Sequence, residues 1–309
     1  MTKIVLVLGA TGTQGGSVAK LLLQHPDQYV TRCLTRNPSS DKAKDLAAQG
    51  AEVIKGDLTV PSTLPAAFKD VWGVFAVTDF YDTTVLDDPM SEEKQGHNIV
   101  QAASKAGVQC FLWSTLPSSR EISGGKFVTR LYEGKHSVDA VVREAGLKGC
   151  FIRTGNFYEN MILRKYAAYD KDADIITMNR PIIGPDAELT SLYVEKDLSA
   201  VCKAVFDLWD TQKSRLDGKY LLASGARETQ GQINKVLERV SGKKVVFTTR
   251  PTTGIPDRDI MLKLYNDVGM YPGVQIPTPE VLELGVKLHT AEDFIRERLL
   301  PHLGLEAQN

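Results

Sequence analysis

The feature that most constrains this chain is the alternation of short apolar runs with longer amphipathic stretches over residues 1–155. The short runs are rich in β-branched residues and predict strands, while the stretches between them have the apolar spacing of helices. This alternation predicts right-handed crossovers and a parallel sheet with helices on both faces. The predicted strands are Lys3–Leu8, Tyr29–Thr35, Ala51–Lys55, Gly73–Val77, Gln109–Trp113 and Gly149–Arg153. The predicted helices are roughly Gln14–Leu23, Lys42–Gln49, Ser62–Phe68, Glu92–Ala106 and Val128–Ala145.

Beyond residue 155 the alternation stops, and residues 156–189 carry aromatic residues, Asn and turn signals. A helix at Val194–Trp209 and a strand at Tyr220–Ala223 then resemble the first region again. We therefore predict a Rossmann-type doubly wound parallel sheet with a smaller mixed α/β C-terminal substrate domain. The Rossmann-type domain is predicted to span residues 1–155 and to resume at about 190–225, leaving 156–189 and 226–309 to the smaller domain. Its predicted elements are helices at Thr229–Val240, Arg258–Val268 and Thr290–Leu299 and a strand at Lys244–Thr249.

Composition excludes several classes of protein. The 309 residues include 37 Lys and Arg against 38 Asp and Glu, so the net charge of −1 argues against a polyanion-binding protein. No apolar run reaches the ~18–20 residues of a membrane span, and the N-terminus lacks a signal-peptide cleavage site. Cys33, Cys110, Cys150 and Cys202 are far apart and are interpreted as core residues, and the histidines have no metal-ligand spacing. We expect a cytoplasmic or nuclear protein that binds neither nucleic acid, membrane nor metal.

A glycine loop follows the first predicted strand directly and leads into the first predicted helix. Gly9 allows the tight turn, Gly12 leaves space for a pyrophosphate, and Gly15 allows helix and strand to pack closely. Backbone N–H groups at the helix start would then bind the phosphates. The alternative is a tight turn that binds no ligand. The residues of the loop are Gly9, Ala10, Thr11, Gly12, Thr13, Gln14 and Gly15.

The end of the second predicted strand indicates which dinucleotide would bind. NAD sites usually place an acidic residue about 20 residues beyond the glycines, but this position falls in a segment without a carboxylate. Arg36 offers a planar cation suited to a 2′-phosphate, and Asn37 and Ser40 lie beside it. The alternative is a solvated surface arginine. We predict NADP(H) as the cofactor.

The next two strand ends extend the predicted cofactor site. Asp57 and Leu58 follow the third strand, where Asp57 could accept a hydrogen bond from adenine while Leu58 packs on its ring. Turn chemistry is an equally good explanation of Asp57. Val77, Thr78 and Asp79 follow the fourth strand, where the ribose and nicotinamide would pass.

Several motifs in order resemble the NmrA-like family, whose members are atypical relatives of the short-chain dehydrogenases/reductases. The motifs are GATGTQGG, LTRNP, QGAEVIKGDL, FAVTDF, EEKQG, EGK at 133–135 and RTGNFYEN. The resemblance covers essentially the whole chain. The chain mainly resembles the redox sensors of this family, with wider similarity to isoflavone-reductase-like enzymes and bacterial quinone reductases. It implies a Rossmann fold, NADP binding and a small C-terminal domain over the nicotinamide end. Similar proteins commonly form homodimers through helices that flank the sheet.

The resemblance also implies contacts outside the glycine loop. Lys94 matches a family lysine on the phosphate side of the cofactor, although a solvated helix lysine explains it nearly as well. The segment after the sixth strand matches one that contacts the nicotinamide half, and core packing is the alternative for its aromatic residues. Its residues are Asn156, Phe157, Tyr158, Glu159 and Asn160.

The usual catalytic pair of the larger superfamily, Tyr-x-x-x-Lys, is missing. Lys135 is present, but Leu131 stands four residues before it, and Tyr132 is out of phase by roughly 60° on a helix. In isoflavone-reductase-like relatives a lysine at this position is implicated as general acid or base, and the alternative is a ribose contact. Ser114 and Thr115 end the fifth strand near the expected substrate carbonyl, and hydrogen bonding to backbone groups is an equally good explanation of them.

Two functions follow from these observations. The first is an NADPH-dependent reductase of a small carbonyl, enone or quinone-like compound. The second is a non-catalytic NADP(H) redox sensor that regulates a protein partner, which the missing tyrosine favours. The predicted substrate pocket, for which simple core packing is the alternative, consists of Trp113, Asn156, Met161, Met261 and Tyr265.

Overall fold

The largest sheet is parallel throughout and has the strand order of a doubly wound protein. The structure is a computed structural model that describes residues 2–82, 86–88 and 90–308. The strands of this sheet are β1 (Lys3–Val7), β2 (Tyr29–Thr35), β3 (Glu52–Lys55), β4 (Gly73–Ala76), β5 (Cys110–Thr115), β6 (Gly149–Arg153) and β11 (Tyr220–Leu222). Their order is β11-β6-β5-β4-β1-β2-β3, so the chain reverses direction across the sheet between β1 and β4. The predicted Rossmann-type sheet is confirmed.

Helices cover both faces of this sheet. They are α1 (Thr13–Leu23), α2 (Asp41–Ala48), α3 (Pro65–Phe68), α4 (Ser91–Ala106), α5 (Ser119–Ile122), α6 (Arg130–Glu144) and α8 (Ser199–Leu216). Val5 and Val7 pack into the core beneath α1 and α8, and Leu6 and Leu8 pack into the core beneath α4 and α6. All four side chains are fully buried, as the continuous apolar run of the first strand predicted.

The remainder of the chain builds two small sheets and a separate apolar cluster. One sheet, in the order β12-β10-β7, joins β7 (Asn156–Phe157), β10 (Glu188–Leu192) and β12 (Ala226–Thr229). The other, in the order β13-β9-β8, joins β8 (Ala167–Asp170), β9 (Ile175–Pro181) and β13 (Lys244–Arg250). The helices here are α7 (Asn160–Leu163), α9 (Gln230–Ser241), α10 (Pro256–Asp267), α11 (Pro279–Leu282), α12 (Ala291–Phe294) and α13 (Leu300–Leu303). Both small sheets contain parallel and antiparallel pairs, so this part is a mixed α/β structure.

Two predicted helices differ from the observed ones in form. The segment predicted at Val194–Trp209 begins with a π-helical turn at Val194–Leu198, and α8 then continues to Leu216. The segment predicted at Thr290–Leu299 is α12 followed by a π-helical turn. The side chains of Thr290 and Asp293 form a capping box at its start.

The cysteines are structural, as their spacing indicated. All four are free and buried, and burial raises the pKa of Cys33 and of Cys150 to about 12. Within the described ranges, no helix has the length and apolar character needed to cross a membrane.

Candidate functional site

One cavity of about 710 Å³ lies at the carboxyl ends of β1 to β6. The glycine loop and the residues that follow β2 and β3 line its outer end. The residues that follow β4 and β6 line its middle, and β9 and α10 contribute the inner wall. The cavity therefore covers the point where the strand order reverses, which is where doubly wound sheets bind their ligands.

The backbone of the glycine loop explains why glycine stands at its first and last positions. Gly9 has a φ of +61°, in the region that side chains rarely adopt. At Gly15 a Cβ atom would lie 2.3 Å from the carbonyl oxygen of Leu8, so only glycine allows α1 to approach β1 this closely. Gly12 is the N-cap of α1, and no side chain caps this helix. The free N–H groups of the first turn thus open on the cavity.

A hydrogen bond from the fifth strand fixes one residue of the loop. The Ser114 hydroxyl donates to Oε1 of Gln14 over 2.7 Å, and Gln14 lines the cavity. Ser114 and Thr115 are themselves buried and do not line it. Their positions support the loop and the strand end from beneath.

At the outer end, Arg36 stands on the rim with about half of its side chain exposed. It forms ion pairs with Asp79 and Asp82, both of which follow β4. Asp57 also lines this end, and its Oδ1 accepts hydrogen bonds from the N–H and the hydroxyl of Thr59. Ser40 instead caps α2, where its hydroxyl accepts a hydrogen bond from the N–H of Ala43.

The middle of the cavity contains a buried cluster of Lys135, Glu92 and Thr78. The Lys135 ammonium donates to Oε1 of Glu92 at 2.5 Å, to the Thr78 hydroxyl at 2.8 Å and to the Thr78 carbonyl at 3.2 Å. The Thr78 hydroxyl in turn donates to the same Glu92 oxygen at 2.7 Å. All three donors of the ammonium are therefore engaged by the protein.

Tyr132 lies outside this cluster, as its helical phase predicted. It is fully buried and does not line the cavity, and burial raises its pKa well above the ordinary value. Its hydroxyl donates to that of Tyr265 at 3.1 Å, and Tyr265 does line the cavity. Burial also raises the pKa of Tyr265. Neither tyrosine has the lowered pKa of a tyrosine activated for proton transfer.

The cavity brings many of the predicted site residues together. Its lining includes Gly9, Thr11, Gly12, Thr13, Gln14, Gly15, Arg36, Asp57, Leu58, Val77, Thr78, Asp79, Lys135, Asn156, Phe157, Asn160, Met261 and Tyr265. It does not include Ala10, Asn37, Ser40, Lys94, Trp113, Ser114, Thr115, Tyr158, Glu159 and Met161.

Three of the residues outside the lining have clear structural roles. Trp113 is fully buried in the core under α4 and α6, where its indole N–H donates to the Lys135 carbonyl at 3.3 Å. Tyr158 stacks on Phe294 and donates to Glu228. Lys94 pairs with exposed Asp88 at 2.5 Å.

Several residues of the lining and of the buried cluster were not predicted from the sequence, and five of them bear on its chemistry. Glu92 and Gln95 lie one helical turn apart on α4, and the EEKQG motif contained both. The remaining three, Tyr166, Arg180 and Arg258, come from distant elements that no motif connects. Within the described part of the chain, no group of acidic, His and Cys residues could hold a metal ion.

The strand order and the cavity at the reversal define a Rossmann-type α/β protein. Residues 1–280 match the model of the NmrA-like family, and the chain belongs to this family. An NmrA-like family domain-containing oxidoreductase of Aspergillus hancockii is 29% identical over 83% of this chain and 79% of its own. One of Aspergillus flavus is 30% identical over 79% of this chain and 75% of its own.

Two solved structures share the fold. NmrA, a negative transcriptional regulator solved in complex with NADP, superposes with a TM-score of 0.77 at 18% identity, over 96% of this chain and 95% of its own. An NADPH-dependent quinone oxidoreductase of Escherichia coli, solved with NADPH, gives a TM-score of 0.70 at 20% identity, over 94% of this chain and 98% of its own. At these identities the similarity establishes the architecture alone.

Proposed function

We propose that this protein is an NADPH-dependent reductase of a small carbonyl, enone or quinone-like compound. The observation that carries the proposal is a single cavity that joins a glycine loop to an inner end lined by aromatic, apolar and cationic side chains. A dinucleotide whose phosphates bind the loop would extend its reactive ring toward that inner end. The family's curated oxidoreductases support the same class of reaction.

The outer end of the cavity fits NADP(H). The uncapped first turn of α1 supplies backbone N–H groups and the positive end of a helix dipole for the pyrophosphate. The close packing at Gly15 brings that turn against β1, where a larger residue would push it away. Arg36 supplies a cation for the 2′-phosphate, which would replace Asp79 and Asp82 as its partner.

When bound, NADPH supplies a hydride from the nicotinamide C4 to the electrophilic carbon of the substrate, and a proton from solvent completes the reduction. Lys135 acts as a positioning residue in this proposal. Its ammonium is held by Glu92 and Thr78, so it fixes the end of β4 along which the nicotinamide and ribose would lie. Burial of the whole cluster keeps these contacts free of competing water.

One observation favours the second candidate, a redox sensor that regulates a protein partner. Tyr132 does not line the cavity, and the three donors of Lys135 are engaged by Glu92 and Thr78, so Tyr132 and Lys135 do not form the ordinary tyrosine–lysine pair. In a sensor, occupancy by NADP(H) would order residues 156–183 or 257–279 and change the affinity for the partner. The residues that hold the cofactor would be the same.

The test uses NADPH deuterated at C4, in separate pro-R and pro-S forms, with the protein and a pooled panel of quinones, enones and aldehydes. Mass spectrometry of the products is expected to find deuterium in one compound class and from one of the two forms only. The double variant Lys135→Met, Glu92→Gln removes both buried charges together, and Lys94→Met removes an exposed lysine as a matched control. We expect the double variant to lose most of the transfer and the control to retain it.

Absence of deuterium in every product, from protein that binds NADPH tightly, would contradict the reductase and favour the sensor. The sensor then predicts that partner affinity differs between NADP⁺ and NADPH. If the double variant transferred deuterium as the wild type does, the reductase function would stand and Lys135 would not be needed to position the cofactor.

A further inference from the structure

We propose that the inner end of the cavity binds a carboxylate carried by the substrate, and that Arg180 and Arg258 are its partners. The proposal rests on the reductase function above, because it specifies the substrate class of the same cavity. It predicts an aromatic or apolar aldehyde, enone or quinone that also bears a carboxylate.

Arg180 is a cation buried among neutral groups. Only 2% of the residue is exposed, yet it lines the cavity from β9. Its guanidinium donates to the side-chain oxygens of Gln230 at 2.7 Å and Asn156 at 3.3 Å, and it lies 4.7 Å from the ring centre of Tyr166. Its Nε, although buried, has no hydrogen-bond partner among the described residues. Burial lowers the pKa of Arg180 to about 10, so the guanidinium stays charged at neutral pH.

Arg258 brings a second cation to the same place from α10. It is 8% exposed and lines the cavity, and it shares Tyr166 with Arg180, whose guanidinium lies 4.7 Å from the centre of that ring. Nη2 of Arg258 donates to the Tyr166 hydroxyl. Within the described part of the chain this is its one hydrogen bond, so most of its five donors have no protein partner.

Among the described residues, these two cations lack an acidic ion-pair partner. Across the described ranges, no carboxylate oxygen forms an ion pair with a nitrogen of either guanidinium at 4.0 Å or less. The acidic residues of the lining, Asp57, Asp79 and Asp82, follow β3 and β4 at the outer and middle parts of the cavity. Buried charges are ordinarily paired, so two adjacent unpaired cations in a cavity indicate an anionic ligand.

The shape of this end favours a carboxylate on an apolar body. Guanidinium groups bind carboxylates and phosphates through paired N–H donors. The surrounding walls, however, are the side chains of Met261, Leu262 and Tyr265, which suit an aromatic or aliphatic group. The phosphates of the cofactor have their own site at the glycine loop. The carboxylate changes no bond in the reaction, and its role is to orient the electrophilic carbon.

The test measures equilibrium binding to the full chain, both without cofactor and saturated with NADP⁺. The probes are three acids, 4-carboxybenzaldehyde, 3-benzoylacrylate and anthraquinone-2-carboxylate, each paired with its methyl ester. Phenyl phosphate serves as the probe for a phosphate site. We expect at least one acid to bind tenfold or more tightly than its ester and more tightly than phenyl phosphate.

Variants assign the preference to the two arginines. Arg258→Met is expected to weaken binding of the acid at least tenfold and of the ester less than twofold, and Arg258→Lys to recover part of the loss. Arg180→Met should act similarly, with Arg180→Lys as the variant that keeps the charge if the first does not fold. Arg250→Met, which changes an exposed arginine outside the cavity, should bind both probes as the wild type does.

Esters that bind as tightly as the acids, acids that do not bind at all, or equal losses of both probes in Arg258→Met would each overturn the carboxylate site. Tighter binding of phenyl phosphate would assign the site to phosphate esters and also contradict it. These outcomes differ from failure of the reductase, since binding is measured without turnover. Deuterium transfer to neutral substrates alone would retain the reductase and reject this proposal.

Discussion

At the scale of single residues, Arg36 carries the proposed preference for NADP(H). It occupies the place where an acidic residue would favour NAD, and its partners here are two carboxylates at the opposite rim. A 2′-phosphate would offer the same charge with more acceptor oxygens. The exposure of about half the side chain leaves it accessible to such a group.

We predict that Arg36→Ala weakens NADP binding by about 2–3 kcal/mol, or roughly 30- to 150-fold, and NAD binding by less than about threefold. The variant removes the cation and leaves Asp79 and Asp82 to repel the 2′-phosphate. Calorimetric titration with both cofactors measures the difference. Lys94→Ala, which changes an exposed lysine outside the lining, is the control. If Arg36→Ala weakened the binding of NADP and NAD equally, Arg36 would have no role in cofactor selection.

Glu159 is a second residue with an informative environment. Burial raises its pKa to about 7, and its Oε2 has no hydrogen-bond partner among the described residues. Its Oε1 accepts from the N–H of Glu195 at 3.0 Å. A carboxyl with a raised folded-state pKa holds its proton in the folded protein after the unfolded chain has lost it. The folded state therefore loses stability as pH rises from about 4.5 to about 7.

Glu159→Gln should remove this loss. We expect the free energy of unfolding at pH 8 to increase by about 2 kcal/mol over the wild type, and to change little at pH 4. Urea unfolding at a series of pH values measures both. Glu306→Gln, in the exposed C-terminal segment, should show no such pH dependence. If the free energies of unfolding of Glu159→Gln and of the wild type changed with pH in parallel, the raised pKa of Glu159 would be wrong.

At the scale of elements, the strands of the large sheet were well predicted, whereas most strands of the two small sheets were not. β2 and β6 have the predicted bounds, because each is a short stretch of mostly buried residues between turn signals. β7, β8, β9, β10 and β12 were not predicted. These strands belong to the small mixed sheets, where most of them pair with strands that are distant in sequence. β7 has only two residues. Local patterns cannot indicate a strand whose stability comes from its partner.

The contact between β1 and α1 gives a prediction at this scale. Gly15→Ala is expected to destabilise the protein by about 2–3 kcal/mol and to weaken NADP binding at least tenfold, since the added carbon would lie 2.3 Å from a backbone oxygen. Gly16→Ala, one residue along the same helix, meets one backbone oxygen at 3.1 Å and should have a smaller effect. Urea unfolding and cofactor titration compare the two. Similar effects of both substitutions would mean that α1 shifts freely on β1.

At the scale of the whole molecule, α10 closes the inner wall of the cavity. Asp257 at its start receives hydrogen bonds from the backbone N–H and the side-chain Nε of Arg130, each at 2.8 Å. The Thr129 hydroxyl also donates to the Asp257 carbonyl at 2.7 Å. These bonds join the start of α6, which carries Lys135, to the helix that carries Arg258 and therefore place both walls of the site.

Asp257→Ala should lower the free energy of unfolding by about 2 kcal/mol, because it leaves a partly buried arginine and a backbone N–H without their acceptor. It should also raise the KM for the substrate more than it weakens NADP binding, since α10 lines the inner end. Asp267→Ala, in the last turn of the same helix, breaks an exposed pair with Lys126 and should change stability by less than about 1 kcal/mol. Equal effects of the two variants would show that the Asp257 contact does not hold α10 in place.

By itself the sequence determined the Rossmann-type sheet, the glycine loop and the outer end of the site. These depend on short-range features, namely apolar periodicity, glycines at a strand end and a missing acidic residue. Such features can be recognised from the sequence because they involve residues close together in the chain. Only the tertiary structure decided that Glu92 lies beside Lys135 while Lys94 pairs with Asp88, and that Trp113 and Tyr158 belong to the core. It alone brought Arg180 and Arg258 together at the side chain of Tyr166, because these contacts join residues far apart in the chain. The part of the site expected to recognise the substrate is therefore the part that the sequence did not indicate.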